Sequence, residues 1–312
     1  MYIFWTIFAI IILGAVFYDL WVMGKRKKEL SIKEAGFWTM GWISLALLFN
    51  FIIYLFISHQ KALEFLTAYL LEKSLSLDNL FVFLVIFSYF DIPQHFQQRV
   101  LKLGILGAFI MRAVFIFGGI WLLKQFDFLF LIFGAFLIFS GIKLIFQKKE
   151  KIEPDKNIFL KIVKKIFPVD EDSKECHFFS KRNGLVCMTP LFVVLLLIES
   201  SDLIFAIDSV PAVLSITQDP FIAYTSNAFA ILGLRALYFF LVGFLPKFVY
   251  FKKGVIALLI FVGMKMVSDK FFHIPIIFSL AIIMFILMLA VILSILKQRK
   301  TNTNSQTNDN SQ

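Results

Sequence analysis

Apolar positions along the chain fall into runs of about 20 residues, the length an α-helix needs to cross a hydrocarbon core of about 30 Å. Nine such segments are expected, at about 2–23, 36–57, 62–90, 100–123, 126–146, 187–207, 220–244, 251–268 and 274–296. The pattern predicts an all-α polytopic membrane protein. The longest polar interval, 147–186, contains KKEKIEPDKN and VDEDSKE. It is too small and too charged for a core of its own, so it reads as a cytosolic linker joining two halves, 61–146 and 187–268. The helix at 274–296 closes a transmembrane domain of residues 1–296. The tail 297–312, with TNTNSQTNDNSQ, is low in complexity and expected to be disordered.

Composition agrees. Hydrophobic residues make up 60% of the chain and charged residues only 17%, against roughly 45–50% and about 25% in soluble domains. The excess apolar surface must face lipid, which excludes a soluble enzyme, a disordered chain and a nucleic-acid-binding domain. The net charge of +10 then becomes a question of sidedness. No basic region precedes the first segment and no small-residue cleavage site follows it, whereas Lys25, Arg26, Lys27 and Lys28 come directly after it. This suits an uncleaved first helix with its N-terminus outside. Alternating the loops from there places 23 basic residues on the cytoplasmic side and three, Lys61, Lys124 and Lys270, on the other. Nine spans, an outside N-terminus and a cytoplasmic C-terminus therefore satisfy the positive-inside rule together. The two cysteines, Cys176 and Cys187, make no disulfide framework, and with His177 they form an incomplete metal set.

The chain also repeats. LSLDNLFVF (75–83) aligns with ESSDLIFAI (199–207), pairing Asp78 with Asp202; Arg112 matches Arg235, and Gly141-Ile-Lys143 matches Gly263-Met-Lys265. The copies occupy segments three to five and six to eight. Three is odd, so they run oppositely through the membrane. Such an inverted-topology repeat places a transporter's substrate site at the repeat interface near the midplane.

Ionisable residues interrupt the apolar segments: Glu72, Asp78, Glu199, Asp202 and Asp208 in segments three and six, Asp19 near the inner end of the first, and Arg112 and Arg235 near the middle of theirs. Each costs roughly 2.5–3.5 kcal/mol at a helix centre on insertion scales, which makes it a functional candidate. Five acids against Arg112, Arg235 and Lys73 leave a formal excess of two negative charges. A divalent cation balances that excess; so does protonation of two carboxyls. Glu199 and Asp202, at i and i+3, share a helix face. Asp202 and Asp208, like Glu72 and Asp78, are six apart, about 240° around a continuous helix. They converge only if helices three and six are broken, and Ser74, Ser76, Ser200, Ser201, Ser209 and Pro211 supply candidate interruptions. Carboxylates, Asn79, Asn227 and serine hydroxyls are hard oxygen donors, which favours Mn²⁺, Mg²⁺ or Ca²⁺ over zinc or copper.

The segments EKSLSLDNLFVF (72–83), PLFVVLLLIESSDLIFAIDSVPA (190–212), SNAFAILGLRALYFFL (226–241) and GMKM (263–266) resemble the TerC/Alx family of bacterial integral membrane proteins, in order over nearly all of residues 1–296. The resemblance implies a multi-pass protein of the bacterial inner membrane that exports Mn²⁺ from the cytoplasm. It implies a metal path through Glu72, Asp78, Asn79, Glu199, Asp202 and Asp208; the pattern of charged and polar residues itself makes Arg112, Asn227, Arg235 and Asp19 the supporting or charge-balancing candidates. Mn²⁺ would be a transported substrate rather than a resident cofactor, and protons the coupling ion. The partners expected are the bilayer, the metal and protons, with no nucleic acid. Two readings compete: a tellurite or other oxyanion resistance transporter, with the arginines facing the substrate, and a membrane-assembly factor without transport. Intramembrane enzyme chemistry through paired aspartates is disfavoured, because no Gly-x-Gly-Asp signature accompanies them.

Overall fold

The computed structural model describes residues 2–18, 31–126, 128–146, 178–182, 185–242, 250–268, 272 and 274–309. Five helices come first: α1 (Tyr2–Phe17), α2 (Ile32–Phe56), α3 (His59–Tyr89), α4 (Gln94–Gln125) and α5 (Leu129–Phe146). A hairpin of β1 (Phe179–Arg182) and β2 (Leu185–Met188) precedes α6 (Pro190–Leu214), α7 (Pro220–Ile231), α8 (Leu234–Val242), α9 (Phe251–Ser268) and α10 (Ile276–Asp309). The hairpin pairs Phe179 with Met188 and Arg182 with Leu185. Sequence signals set several helix starts. Ser31 and Glu34 form a capping box on α2, Ser58 accepts from the Lys61 amide on α3, and Asp219 caps α7, whose first residue is Pro220.

Each of the nine expected segments contains a helix, the seventh as the pair α7 and α8. Five helices are long and apolar enough to cross a membrane, namely α2, α4, α5, α6 and the Ile276–Lys297 part of α10, and the bent α7–α8 pair makes a sixth if taken as one span. The 16 residues of α1 fall short, and α3 and α9 carry charges along their length. Large apolar side chains face outward on α2 (Phe37, Met40, Phe51), α5 (Phe139, Phe146) and α10 (Phe278, Phe285, Met288). In water these would form apolar patches of a size that soluble monomers avoid. In a bilayer they meet their preferred solvent, as a multi-pass integral membrane protein requires.

One sequence expectation needs correction. Helices three and six are continuous: α3 runs unbroken for 31 residues and α6 for 25. Three of the five serines expected to interrupt them instead fold back along the helix. Ser74 donates to the Leu70 carbonyl, and Ser200 and Ser201 both donate to that of Leu197, a bond that a helix accommodates. Pro211 lies in the last turn of α6, where it forfeits one backbone bond without ending the helix. The break falls in segment seven. Gly233, at φ +79°, separates α7 from α8 with a bend of 40°, in the left-handed region that glycine enters without steric cost. A Cβ there would also lie within 2.9 Å of three Trp42 atoms. α10 is the longest helix, from Ile276 to Asp309 among the described residues.

Two apolar clusters form the interior, and α3, α4 and α6 contribute to both. α9 packs closely against α5, where small residues let the backbones meet: a Cβ on Gly263 would sit 2.7 Å from the Gly134 carbonyl oxygen. α4 lies on α6, α3 on both α6 and α7, and α2 on α8. At one end of the bundle the start of α3, the α6–α7 loop and the start of α10 surround a cavity of about 740 Å³ lined by Lys61, Glu64, Thr217, Asp219 and Lys265.

Candidate functional site

The centre of the site is Arg112, on α4 and almost fully buried at 1% exposure. Its Nη1 donates to the Glu72 carboxylate from α3, to Ser209 Oγ from α6 at 2.7 Å and to Asn227 Oδ1 from α7 at 2.9 Å. Its Nη2 lies 3.9 Å from Asp202 Oδ1 of α6. Four helices thus contribute to one polar cluster in an otherwise apolar interior. Asn79 donates to Asp202 Oδ1 at 3.3 Å, and Ser76 donates to Glu72 at 3.4 Å. Glu72 Oε2 and Asp202 Oδ2 are buried and accept no hydrogen bond. An unpaired carboxylate oxygen in an apolar surrounding is costly and asks for a function.

The other expected acids lie along α6 on either side of this cluster. Glu199, half-buried one turn before Asp202, shares a small cavity with Asp202, Arg235, Gly104 and Ala108. Its carboxylate occupies the notch left by Gly107 of α4, where any Cβ would collide with it. Asp208 accepts from Ser140 of α5 at 2.9 Å and shares a second small cavity with Asn79 and Ser209. It therefore stands apart from Asp202, as six residues of unbroken helix dictate. Asp78 lies within α3, but its side chain is outside the described residues, as is Asp19 altogether. Arg235, at the start of α8, is 1% exposed. Among the described residues no three His, Cys, Asp or Glu side chains come together; the central cluster is two carboxylates completed by neutral amide and hydroxyl oxygens.

The break in segment seven belongs to the same neighbourhood. It frees carbonyls of Ala230 and Leu232, and Lys73, next to Glu72 on α3, donates to both at 3.0 and 3.3 Å. Freed backbone acceptors at membrane depth need such a partner.

The chain matches the family model described as integral membrane protein TerC over residues 57–302. The chain belongs to the TerC family. Relatives in Salmonella typhi and in Escherichia coli K12, both described as the membrane-bound redox modulator Alx, are 41% identical over 299 residues, covering 93% of this chain and 93% of each relative. An uncharacterized membrane protein of Myxococcus xanthus is 41% identical over 299 residues, covering 96% of this chain and 94% of its own. No solved structure matches.

Sequence reasoning missed three parts of this TerC-family site. Gly107 carries no chemistry and gives no signal until its contact with Glu199 is seen. The break at Gly233 was hidden in the apolar run AILGLRALYFF. Glu64, three residues after Lys61 near a helix start, has the sequence pattern of an exposed ion pair. In the fold it is buried, accepts from Thr217 at 2.6 Å and pairs with Lys61 at 2.8 Å at the mouth of the large cavity.

Proposed function

We propose that this TerC-family protein is a membrane transporter that exports Mn²⁺ from the bacterial cytoplasm across the inner membrane in exchange for protons. The carrying observation is the convergence of hard oxygen donors on one buried cationic point: Glu72, Ser209 and Asn227 around Arg112 Nη1, with Asp202 beside them and two carboxylate oxygens left unpartnered. Oxygen donors of this kind suit Mn²⁺, Mg²⁺ and Ca²⁺. Glu199, Asp202 and Asp208 string further carboxylates along α6, a rise of about 13 Å at 1.5 Å per residue, and Glu64 and Asp219 continue the acidic series at the mouth of the large cavity.

Nine spans and an inverted repeat fit the packing. Exchanging the halves pairs α3 with α6, α5 with α9 and α4 with the bent α7–α8. α3 and α6 pack on each other, so do α5 and α9, and the contact of α4 with α6 has its counterpart in that of α7 with α3. The orientation fits as well: residues 60–64, 215–220 and 274–276, which the charge asymmetry assigns to the outside, line one cavity. Mn²⁺ enters this reading as transported substrate, with no permanently bound cofactor and no catalysed reaction. An oxyanion substrate is disfavoured, because the groups around Arg112 are acceptors and carboxylates. The Alx relatives are described as redox modulators; here thiol chemistry rests on Cys176 and Cys187, and a cysteine-free variant that still exports Mn²⁺ separates that reading from this one.

The test is metal flux into inverted membrane vesicles under an imposed pH gradient. Mn²⁺ uptake above that of empty vesicles, and above that of Zn²⁺, is the expected result. Uptake no greater than in empty vesicles, with the protein folded and present, overturns the reading.

A further inference from the structure

Arginine in a buried ion pair normally engages a carboxylate through two parallel N–H bonds. Arg112 does not. A single nitrogen, Nη1, faces three acceptors, Glu72, Ser209 Oγ and Asn227 Oδ1, although it carries only two hydrogens. Nε is buried with no hydrogen-bond partner. Nη2 reaches Asp202 only at ion-pair distance, 3.9 Å. The cage is therefore arranged around a point rather than around a planar fork. The oxygen distances of 2.7 and 2.9 Å need to contract by only a few tenths of an Å to reach the 2.3–2.6 Å of a Ca²⁺ shell, and somewhat more for a smaller ion. Glu72 Oε2 and Asp202 Oδ2, both buried and unpartnered, supply two further donors that the guanidinium leaves unused.

We propose that Arg112 is a tethered cation that holds the place of the transported divalent ion between Glu72 and Asp202, and that the ion binds only as the guanidinium leaves that place. This rests on the exporter reading and adds a mechanism to it. Two carboxylates and a guanidinium carry one uncompensated negative charge; two carboxylates and a divalent ion carry none. An ion added beside a resident guanidinium would instead reverse the imbalance, so the two cations compete for one position. Arg112 then keeps the acids paired when no metal is bound and makes metal release favourable.

The experiment measures equilibrium Mn²⁺ binding to the purified full-length protein in detergent, together with flux per folded molecule. Arg112→Gln removes the competing charge and keeps a polar side chain. It should bind Mn²⁺ at least tenfold more tightly than wild type while exporting at least tenfold more slowly, because release has lost its internal competitor. Arg112→Lys should stay within about threefold of the wild-type affinity. Should Arg112→Gln fold poorly, Arg112→Met tests the same point with another neutral side chain and leaves every oxygen donor in place: it too should tighten Mn²⁺ binding at least tenfold. Unchanged or weaker binding by folded Arg112→Gln, or by Arg112→Met where that variant stands in for it, overturns the proposal. The two readings fail differently. If Glu72→Gln and Asp202→Asn abolish binding but Arg112→Gln does not tighten it, only the tethered cation falls. If Glu72→Gln and Asp202→Asn bind Mn²⁺ as wild type does, the exporter reading falls with it.

Discussion

At the scale of single residues, the site is a problem of unequal partners. Buried charge is tolerated only when paired and hydrogen-bonded, and Arg112 satisfies one oxygen of Glu72 while leaving the other open. The acids and arginines were legible in the sequence because charge inside an apolar run has few explanations. What surrounds them was not. Gly107 is an ordinary glycine in LGILGAF, yet it makes the notch that admits the Glu199 carboxylate. Glu199 is the far end of a flexible side chain, so Gly107→Ala should displace it cheaply. The expected outcome is a stability within about 1 kcal/mol of wild type, because the helical preference of alanine over glycine, about 1 kcal/mol, offsets the displacement, with Mn²⁺ export reduced at least tenfold. Thermal unfolding in detergent and vesicle flux measure the two. Full export by the alanine variant would remove Glu199 from the path.

At the scale of elements, hydrophobic run length found the helices, since crossing a bilayer demands it. It misplaced the break. Serines in α3 and α6 read as interruptions but bond back into their own helices, and Pro211 is accommodated in the last turn of α6, whereas a lone glycine in an apolar run gave no local sign of its positive φ. The break between α7 and α8 is held from two sides. Gly233→Ala forces a left-handed alanine, at roughly 1–2 kcal/mol, against Trp42; a loss of at least about 2 kcal/mol is expected from equilibrium unfolding. Lys73→Met leaves the Ala230 and Leu232 carbonyls without their ammonium donor. An unsatisfied buried acceptor costs about 1–3 kcal/mol, so this variant should unfold earlier by that amount. Wild-type stability in Lys73→Met would show that the break needs no cation.

At the scale of the whole molecule, the sequence predicts sidedness and a repeat, and the fold shows how the helices of the two proposed halves pack. Three segments remote in sequence line one cavity, an arrangement that agrees with the proposed alternation of spans and that hydropathy alone does not supply. On the proposed alternation of spans, residues 147–186 are cytoplasmic. Native Cys176 should therefore resist an impermeant thiol reagent in intact cells and react in inverted vesicles; labelling from outside would refute the orientation. The central claim is that two buried carboxylates from opposite halves of the chain, Glu72 and Asp202, carry a hard divalent cation across the membrane. Mn²⁺ flux into inverted vesicles, normalised to folded protein by size-exclusion profile, tests it most directly. Robust uptake by wild type and none by Glu72→Gln or Asp202→Asn, each folded, is the expected result. Wild-type rates in both variants would contradict it.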